Sequence, residues 1–284
     1  MDGLHVDRGK VYESDFATLK KYREDYYRIT LHRQIRRAGY EAIDGEEEHR
    51  SGKKNTTENE EKLQASLSRT KSRIFELALC NDWEWFVTLT LNPQKFDRAD
   101  LKTYKNKLST FIKNYNRIHN TNIKYLLIPE LHRDGINYHM HGLIMGLPTE
   151  QLHEFTQEEK LPIKILIEIA HGHKIYSWPA YEKTFGYISL SKIINAESVS
   201  KYITKYITKD LIGTKIGLNE HLYYCSKGLK RAEIICEGKL TKDLDEDFAN
   251  DYVKMKTVRD LAEAQAYFIA EYGEVAQKGA EGKI

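Results

Sequence analysis

The sequence is poor in cysteine, has no long apolar run and carries almost no net charge. Its three cysteines are odd in number and form no Cys-x-x-Cys pair, so neither a disulfide framework nor a zinc knuckle is indicated. Even the apolar stretch Ile163–Ala170 is short and contains Lys164 and Glu168, which excludes a membrane span there. No signal peptide is recognisable. We therefore expect a protein of the reducing cytoplasm with no membrane partner.

The distribution of charge is more informative than the net charge of +2. Acidic residues cluster within 46–61 and 243–247, whereas basic residues gather between positions 201 and 231. Such a segregated basic region is compatible with a local nucleic-acid surface. At 284 residues, the chain can bury the core of one large domain or of a domain with appendages.

Hydrophobic periodicity divides the chain into three regions. Apolar residues recur at helical spacing within 14–38, and residues 44–61 are polar. We therefore expect residues 1–80 to form a helical N-terminal extension with a polar linker at about 44–61. Residues 83–236 combine strand and helix patterns, and residues 237–284 have the pattern of a charged helical tail.

The middle region contains four segments with clear patterns. Residues 85–91 are rich in β-branched and aromatic side chains and predict a strand, and residues 101–118 carry the apolar stripe of a helix. Residues 163–169 predict another strand. Residues 196–211 predict a helix for which Asn195 is a suitable N-cap.

A β-hairpin is predicted between residues 124 and 146, because two apolar runs flank Asp134-Gly135, a dipeptide suited to a tight turn. A two-residue turn there places Glu130 directly opposite His139. His139 and His141 share a face by strand alternation, so the three side chains converge. Two imidazoles and a carboxylate can hold a divalent cation and leave positions open for substrate. We predict a metal site at Glu130, His139 and His141.

The alternative interpretation is a polar hairpin whose histidines merely face solvent. A second His-x-His pair, His171 and His173, has Gly172 at its centre and no carboxylate across a recognisable tight turn. We interpret this second pair as structural or close to DNA.

A second chemical element is a predicted helix with paired tyrosines. Tyr202 and Tyr206 are one turn apart, and Lys205 and Lys209 border the same face. Phenols beside ammonium groups suit attack on a phosphodiester, because a cation favours the phenolate and lysine neutralises transition-state charge. Ordinary packing of an amphipathic helix is the alternative. We predict that these four residues are catalytic. The remaining basic residues predicted to bind DNA are Lys201, Lys227, Lys230 and Arg231.

Four segments occur in an order and spacing that suggest a known family: 86–90, Glu130 with 139–141, 202–206 and 224–231. Together they resemble the rolling-circle replication initiators of the HUH endonuclease superfamily. The likeness is greatest to the two-tyrosine group, which includes gene A-type and gene II-type phage proteins and related plasmid initiators. It covers roughly residues 83–236, which the resemblance identifies as an HUH endonuclease domain.

This resemblance implies an α+β fold with a central antiparallel sheet flanked by helices, and a metal on one sheet face. The implied reaction is strand-specific nicking of origin DNA with Mg²⁺ or Mn²⁺ as cofactor. One tyrosine becomes linked to the 5′-phosphate and a free 3′-OH is left for a polymerase. The other tyrosine cleaves the regenerated origin, and the strand is rejoined. Without a Walker A motif in the chain, a host helicase is implied, and the gene is expected on a phage, plasmid or other mobile element.

Three alternatives remain at this point. A conjugative relaxase shares the chemistry, but its tyrosine usually precedes the histidines, whereas in this chain it follows them. A DNA-binding regulator with a catalytically silent version of the fold would bind DNA without nicking it. A metal-dependent hydrolase of small substrates would not need the paired tyrosines or the lysine cluster.

Overall fold

A computed structural model describes six stretches of the chain, namely residues 10–12, 16–32, 36–38, 56–207, 222–249 and 253–268. The chain forms two compact units, one made of residues 55–230 and the other of residues 1–54 with 231–284. The architecture is α+β with antiparallel sheets, which confirms the predicted fold class.

The described residues form both strands and helices. The strands are β1 (Lys10–Tyr12), β2 (Phe16–Arg23), β3 (Tyr26–His32), β4 (Arg36–Ala38), β5 (Trp85–Leu89), β6 (Lys124–Leu131), β7 (Tyr138–Met145), β8 (His153–Glu154), β9 (Ile175–Ser177), β10 (Ile188–Lys192), β11 (Tyr224–Cys225), β12 (Glu233–Lys239), β13 (Phe248–Ala249) and β14 (Val253–Val258). The described helices are α1 (Thr56–Cys80), α2 (Leu101–His119), α3 (Ile163–Ala170), α4 (Pro179–Thr184), α5 (Ala196–Ile203) and α6 (Leu261–Gln265), with short 3₁₀ segments at Thr149–Gln151 and Thr204–Tyr206.

The unit of residues 55–230 is built on a seven-stranded antiparallel sheet. Its strand order is β11-β6-β7-β5-β10-β9-β8. Strand β5 shows why the sheet has two distinct faces: Trp85, Val87 and Leu89 are buried on one side, and Phe86 and Thr88 point to the other.

Each face of this sheet packs against its own helices. On one face, Leu89, Leu127 and Ile144 join a core that includes Leu108 and Ile112 of α2. The opposite face buries a second core against α1 and α5, whose members include Leu126, Ile128, Leu143, Ile74 and Ile203. Each fully buried aliphatic side chain contributes about 1.5–3 kcal/mol relative to exposure. The candidate site lies on this second face, because His141 pairs with Ile128, a member of this core.

The predicted helical N-terminal extension is confirmed for its last part, where helix α1 runs to Cys80, and wrong for residues 16–32. Residues 16–32 form strands β2 and β3 of a five-stranded sheet with the order β12-β2-β3-β14-β13. Ala17, Leu19 and Ile29 are fully buried in its core, which is the period-two pattern of a strand. Helix α1 begins at Thr56, inside the stretch predicted to be a linker, and residues 39–55 lie outside the described residues.

The predicted helical C-terminal tail is also wrong. Strands β12 and β14 pair with the two edges of the β2–β3 hairpin, and the described helix of this region, α6, is only five residues long. The first unit ends at Lys230, so strand β12 falls outside it, although residues 231–236 were expected to belong to the middle domain.

Two predictions within the larger unit need correction. Residues 163–169 form helix α3 and not a strand, with Pro162 at the N-cap position. Helix α5 ends at Ile203 and continues as the 3₁₀ segment Thr204–Tyr206, whereas one helix to residue 211 was expected. Residues 208–211 lie outside the described part of the chain. Among the described residues, no helix has both the length and the apolar character needed to cross a membrane.

Candidate catalytic site

The β6–β7 hairpin places the predicted metal ligands on one sheet face. Glu130 pairs with His139, and Ile128 pairs with His141, which confirms the predicted register. The turn itself differs from the prediction, because the strands stop at Leu131 and Tyr138 and leave a six-residue connection. The longer connection adds the same number of residues on each side of Asp134-Gly135, so Glu130 still faces His139.

Short-range hydrogen bonds fix this connection. The carboxylate of Asp134 accepts the backbone N–H groups of Ile136 and Asn137, each at 2.9 Å. The N–H of His132 donates to the carbonyl of Asn137 at 2.7 Å, and Gly135 takes a φ of +71°. These bonds hold the pKa of Asp134 well below its usual range, with the hydrogen bond from the Asn137 side chain as the largest cause.

Strand β5 and the residue that follows it supply a hydroxyl to each histidine of the hairpin. The Oγ1 of Thr88 lies 3.1 Å from Nδ1 of His141, and the Oγ1 of Thr90 lies 3.1 Å from Nδ1 of His139. A hydroxyl can donate or accept, so it holds the ring whichever way the imidazole is protonated. Sequence reasoning gave these threonines no such role. The available signal was their i, i+2 spacing, which repeats the spacing of the histidines.

Glu130 contacts one of the two histidines directly. Its Oε2 lies 2.6 Å from Nε2 of His141, and this hydrogen bond is the main reason that the pKa of Glu130 is lowered. The pKa of His139 is also lowered, first by burial and then by the charges of His132, His141 and Arg98. Burial and neighbouring cations therefore favour the neutral form of His139, which is the form that binds a metal.

As they stand, the described residues contain no group of three or more His, Cys, Asp or Glu side chains assembled to hold a metal ion. The three predicted ligands nevertheless fit a divalent cation by their chemistry, as one carboxylate and two imidazoles whose Nδ1 atoms are held by threonines. The rings of His139 and His141 have centroids 6.4 Å apart, and Glu130 contacts His141 directly. Metal binding at these residues remains a prediction.

The paired tyrosines lie against this cluster. The side chain of Asn195 accepts the N–H of Ser198 at 2.8 Å, so the predicted N-cap of α5 is confirmed. At the other end of the helix, the hydroxyls of Tyr202 and Tyr206 are 3.0 Å apart. The ring of Tyr206 stacks on the imidazole of His141 with centroids 4.2 Å apart and an interplanar angle of 11°.

Phe86 supports both tyrosines from strand β5. Its ring lies 5.5 Å from that of Tyr202 and 6.3 Å from that of Tyr206. Burial and the hydrogen bond with Tyr202 raise the pKa of Tyr206. Neighbouring cations were expected to favour its phenolate and so lower this pKa, and the structure shows the opposite direction. Lys205 instead has its ammonium 5.5 Å from the ring centroid of Tyr202, as a cation–π contact.

The structure brings only some of the predicted basic residues to the cluster. Lys201 forms an ion pair with Glu197 at 2.9 Å within helix α5, which also carries Tyr202. Ser226 pairs with Tyr125 near the start of β6, and the chain then continues to Lys227 and Lys230. Glu130 lies five residues further along β6 than Tyr125, about 17 Å away at 3.3 Å per residue. The segment that begins at Ser226 therefore starts far from the cluster.

The other predicted basic residues and the second histidine pair lie elsewhere. The ammonium of Lys230 is 3.6 Å from Asp82. Arg231 belongs to the other unit, and Lys209 lies outside the described residues. In the second His-x-His pair, Nδ1 of His173 contacts Glu168 at 3.3 Å on the exposed side of α3, which gives that histidine a local partner.

Three residues near the cluster were missed by sequence reasoning. The ring of His132 lies 4.8 Å from that of His139, and its Nδ1 is 3.4 Å from Asp134. His132 comes two residues after Glu130, and that spacing was its sequence signal. The positive charges of Arg98 and Lys164 act on His139 and Glu130 respectively. Neither cation belongs to a motif, and no sequence signal marked it.

Comparison with known proteins found one family model that matches part of the chain. Residues 84–211 match the family model of replication-associated proteins of the ORF2 and gene 2 protein type. The match covers less than half of the chain, but it contains β5, the β6–β7 hairpin and the tyrosine pair. No curated protein and no solved structure matches the chain. The match supports a role in the initiation of DNA replication.

Proposed function

We propose that this protein starts rolling-circle replication by nicking one strand of origin DNA through a 5′-phosphotyrosine intermediate and later rejoining it. The observation that carries the proposal is the contact between two elements that are distant in sequence, the β6–β7 hairpin and the segment that contains the tyrosines. Tyr206 stacks on His141, and His141 in turn contacts Glu130. A packing tyrosine has no need of a carboxylate–histidine cluster, whereas a nucleophile for a phosphodiester does.

The reaction follows from the chemistry of these side chains. A phenolic oxygen of Tyr202 or Tyr206 forms a bond to phosphorus, and the bond from phosphorus to the 3′-oxygen breaks. The tyrosine loses its proton and the departing 3′-oxygen gains one, so the products are a phosphotyrosine and a free 3′-OH. The hydrogen bond of 3.0 Å between the two hydroxyls positions either phenol beside the other.

Glu130, His139 and His141 are the residues that would hold Mg²⁺ or Mn²⁺. When bound, such an ion polarises the phosphate and favours departure of the 3′-oxygen. The protein's own contribution is to fix the imidazoles through Thr88 and Thr90.

The proposed partners are single-stranded or extruded origin DNA, a host helicase and a host polymerase, in the cytoplasm of a cell that carries a phage, plasmid or other mobile element. Lys205 is the predicted catalytic cation that lies beside the tyrosines, where it can lower the energy of the charged transition state.

A selection experiment tests this proposal without knowledge of the origin sequence. Tagged protein is incubated with Mn²⁺ and a pool of single-stranded DNA with a randomised centre, and DNA that survives denaturing washes on the protein is sequenced. We expect one enriched cleavage sequence. A 3′-labelled strand of that sequence should migrate with the protein on a denaturing gel, and a 5′-labelled strand should give a free, shorter product.

The control is the double variant Tyr202→Phe/Tyr206→Phe, which keeps both rings and removes both hydroxyls. If the native protein binds the DNA pool but forms no adduct with Mn²⁺ or Mg²⁺, the protein is a DNA-binding regulator and the nicking proposal is wrong. If the double variant forms the adduct as well, the nucleophile lies elsewhere in the chain.

A further inference from the structure

Arg98 lies in the connection between β5 and α2, which is shaped by side chains that bind its backbone. The side chain of Asn92 accepts the N–H of Gln94 at 2.9 Å. Asp97 accepts the N–H of Ala99 at 2.8 Å, and Asp100 caps helix α2 by accepting the N–H of Thr103 at 2.9 Å. The two carboxylates that flank Arg98 in sequence are thus both engaged with backbone N–H groups.

This connection reaches the candidate site directly. The carbonyl of Arg98 accepts the backbone N–H of Tyr138 at 3.2 Å, and Tyr138 immediately precedes His139. The positive charge of Arg98 also acts on the imidazole of His139. The guanidinium is therefore a neighbour of the cluster, on the side supplied by the start of β7.

The guanidinium of Arg98 has a donor without a protein partner. Its Nε is buried without a hydrogen bond, and within the described stretches no carboxylate forms an ion pair with it. A buried donor left unsatisfied costs about 1–3 kcal/mol, and more when the group is charged. Arg98 as a whole is only partly buried, so the rest of its guanidinium can meet a substrate phosphate beside the cluster.

We propose that Arg98 binds a phosphate of the DNA strand held at Glu130, His139 and His141. This inference rests on the proposed nicking function. Single-stranded DNA presents a negatively charged phosphate at every nucleotide, and a guanidinium can bind two phosphate oxygens at once through its planar donors. A lysine ammonium supplies charge without this paired geometry.

The role assigned to Arg98 is to bind and orient the phosphate. During the reaction, one bond forms from tyrosine to phosphorus and one breaks to the 3′-oxygen. Arg98 remains protonated throughout and transfers no proton. Its hydrogen bonds to the non-bridging oxygens strengthen as negative charge develops there.

The test uses the full-length protein with Mn²⁺ and a single-stranded oligonucleotide that carries the selected cleavage sequence. Arg98→Ala should slow single-turnover adduct formation by roughly 100-fold, the usual effect of removing one transition-state donor. Arg98→Lys should recover part of the rate. The matched control is Lys102→Ala, because Lys102 is an exposed cation four residues further on at the start of α2. This control should stay within about twofold of the native rate, because a solvent-exposed charge contributes little to binding.

A second measurement separates phosphate binding from a structural role. Each phosphate near the cleavage point, except the scissile one, is replaced in turn by an uncharged methylphosphonate. When the replaced phosphate is the one that Arg98 binds, adduct formation by the native protein should slow. The rate difference between the native protein and Arg98→Ala should then disappear. If Arg98 binds the scissile phosphate itself, none of these replacements will remove the difference, and the Arg98→Ala defect should appear in the rate at saturating DNA.

Two results would overturn the inference. One is native-like cleavage by Arg98→Ala. The other is a uniform defect on every substrate in Arg98→Ala and Arg98→Lys that is accompanied by a lower unfolding temperature. Failure of the proposed function itself looks different, because the native protein would then form no adduct with any DNA.

Discussion

The two tyrosines have unequal surroundings although they are hydrogen bonded to each other. Tyr206 stacks on His141 and is partly buried, whereas Tyr202 is 45% exposed. In the proposed mechanism each phenol acts as the nucleophile at a different stage, so replacing either tyrosine alone should affect only one stage.

Tyr202→Phe and Tyr206→Phe should each retain some single nicking, because phenylalanine keeps the ring contacts and removes only the hydroxyl. Each single variant should fail to release a closed single-stranded circle in a replication assay. The measurement is the ratio of adduct to circle for each variant. Normal circle release by one single variant would show that only the other tyrosine is catalytic.

The threonines beside the histidines give a second residue-level prediction. Thr88→Val keeps the shape of the side chain and removes the hydroxyl that lies 3.1 Å from Nδ1 of His141. Loss of such a supporting partner typically lowers metal affinity about 10–100-fold. The Mn²⁺ concentration needed for half-maximal cleavage should therefore rise, and high Mn²⁺ should restore the rate.

The matched control for this experiment is Thr110→Val. Thr110 is an exposed residue of α2 whose hydroxyl donates to the carbonyl of Asn106. Its replacement should leave the Mn²⁺ dependence unchanged. An unchanged Mn²⁺ dependence in Thr88→Val as well would mean that the orientation of His141 does not limit metal binding.

At the scale of elements, the β6–β7 pair contains one position with no room for a side chain. A Cβ on Gly142 would lie 2.3 Å from the carbonyl oxygen of Leu126 and 3.0 Å from Cα of Leu127. Both atoms belong to the neighbouring strand's backbone and cannot rotate away. Gly142 follows His141 directly, so the fit of the strands and the position of the imidazole are linked.

Gly142→Ala should therefore destabilise the protein by about 1–3 kcal/mol, the usual range for overpacking. The comparison is Gly135→Ala, where an added Cβ would meet no described atom within 4 Å. This substitution should cost about 1–2 kcal/mol through the left-handed backbone alone. Chemical unfolding measures both. Only Gly142→Ala should also reduce cleavage under conditions in which the protein remains folded, and equal effects on cleavage would contradict this account.

The elements show how far the sequence could predict this structure. The pairing of Glu130 with His139 was predictable, because side chains alternate along both strands and the turn is centred on Asp134-Gly135. The N-terminal strands were not, because the aromatic and aliphatic residues of 14–38 also fit helical spacing. Residues 163–169 contain several β-branched side chains, yet they form a helix with no buried residue. Strand propensity reflects packing on a sheet, and these residues have no such packing.

The site was predictable only in part, for a similar reason. Glu130, His139 and His141 lie close in sequence, and their geometry follows from one hairpin. The stacking of Tyr206 on His141 depends on how α5 packs, and the burial of Nε of Arg98 depends on the path of a loop. Neither the packing of α5 nor the path of this loop is encoded in a local pattern.

At the scale of the molecule, the proposed chemistry lies within one of the two units. Residues 55–230 contain Glu130, both histidines of the hairpin and both tyrosines. A fragment of residues 55–230 should therefore fold cooperatively and form the covalent adduct with the selected DNA. Circular dichroism during unfolding and the denaturing gel measure these two properties. A folded fragment without adduct formation would show that the terminal unit is required for the chemistry.

The five-stranded sheet also dictates an order of events during synthesis. Its strands β2 and β3 leave the ribosome first, but their partners β12 and β14 lie more than 200 residues later in the chain. The unit of residues 55–230 is contiguous and can fold as soon as it has emerged. In the nascent chain, the unit of residues 55–230 can therefore be folded while strands β2 and β3 still lack β12 and β14. Translation supplies the strands that complete this sheet only after the residues proposed to cut DNA have been made.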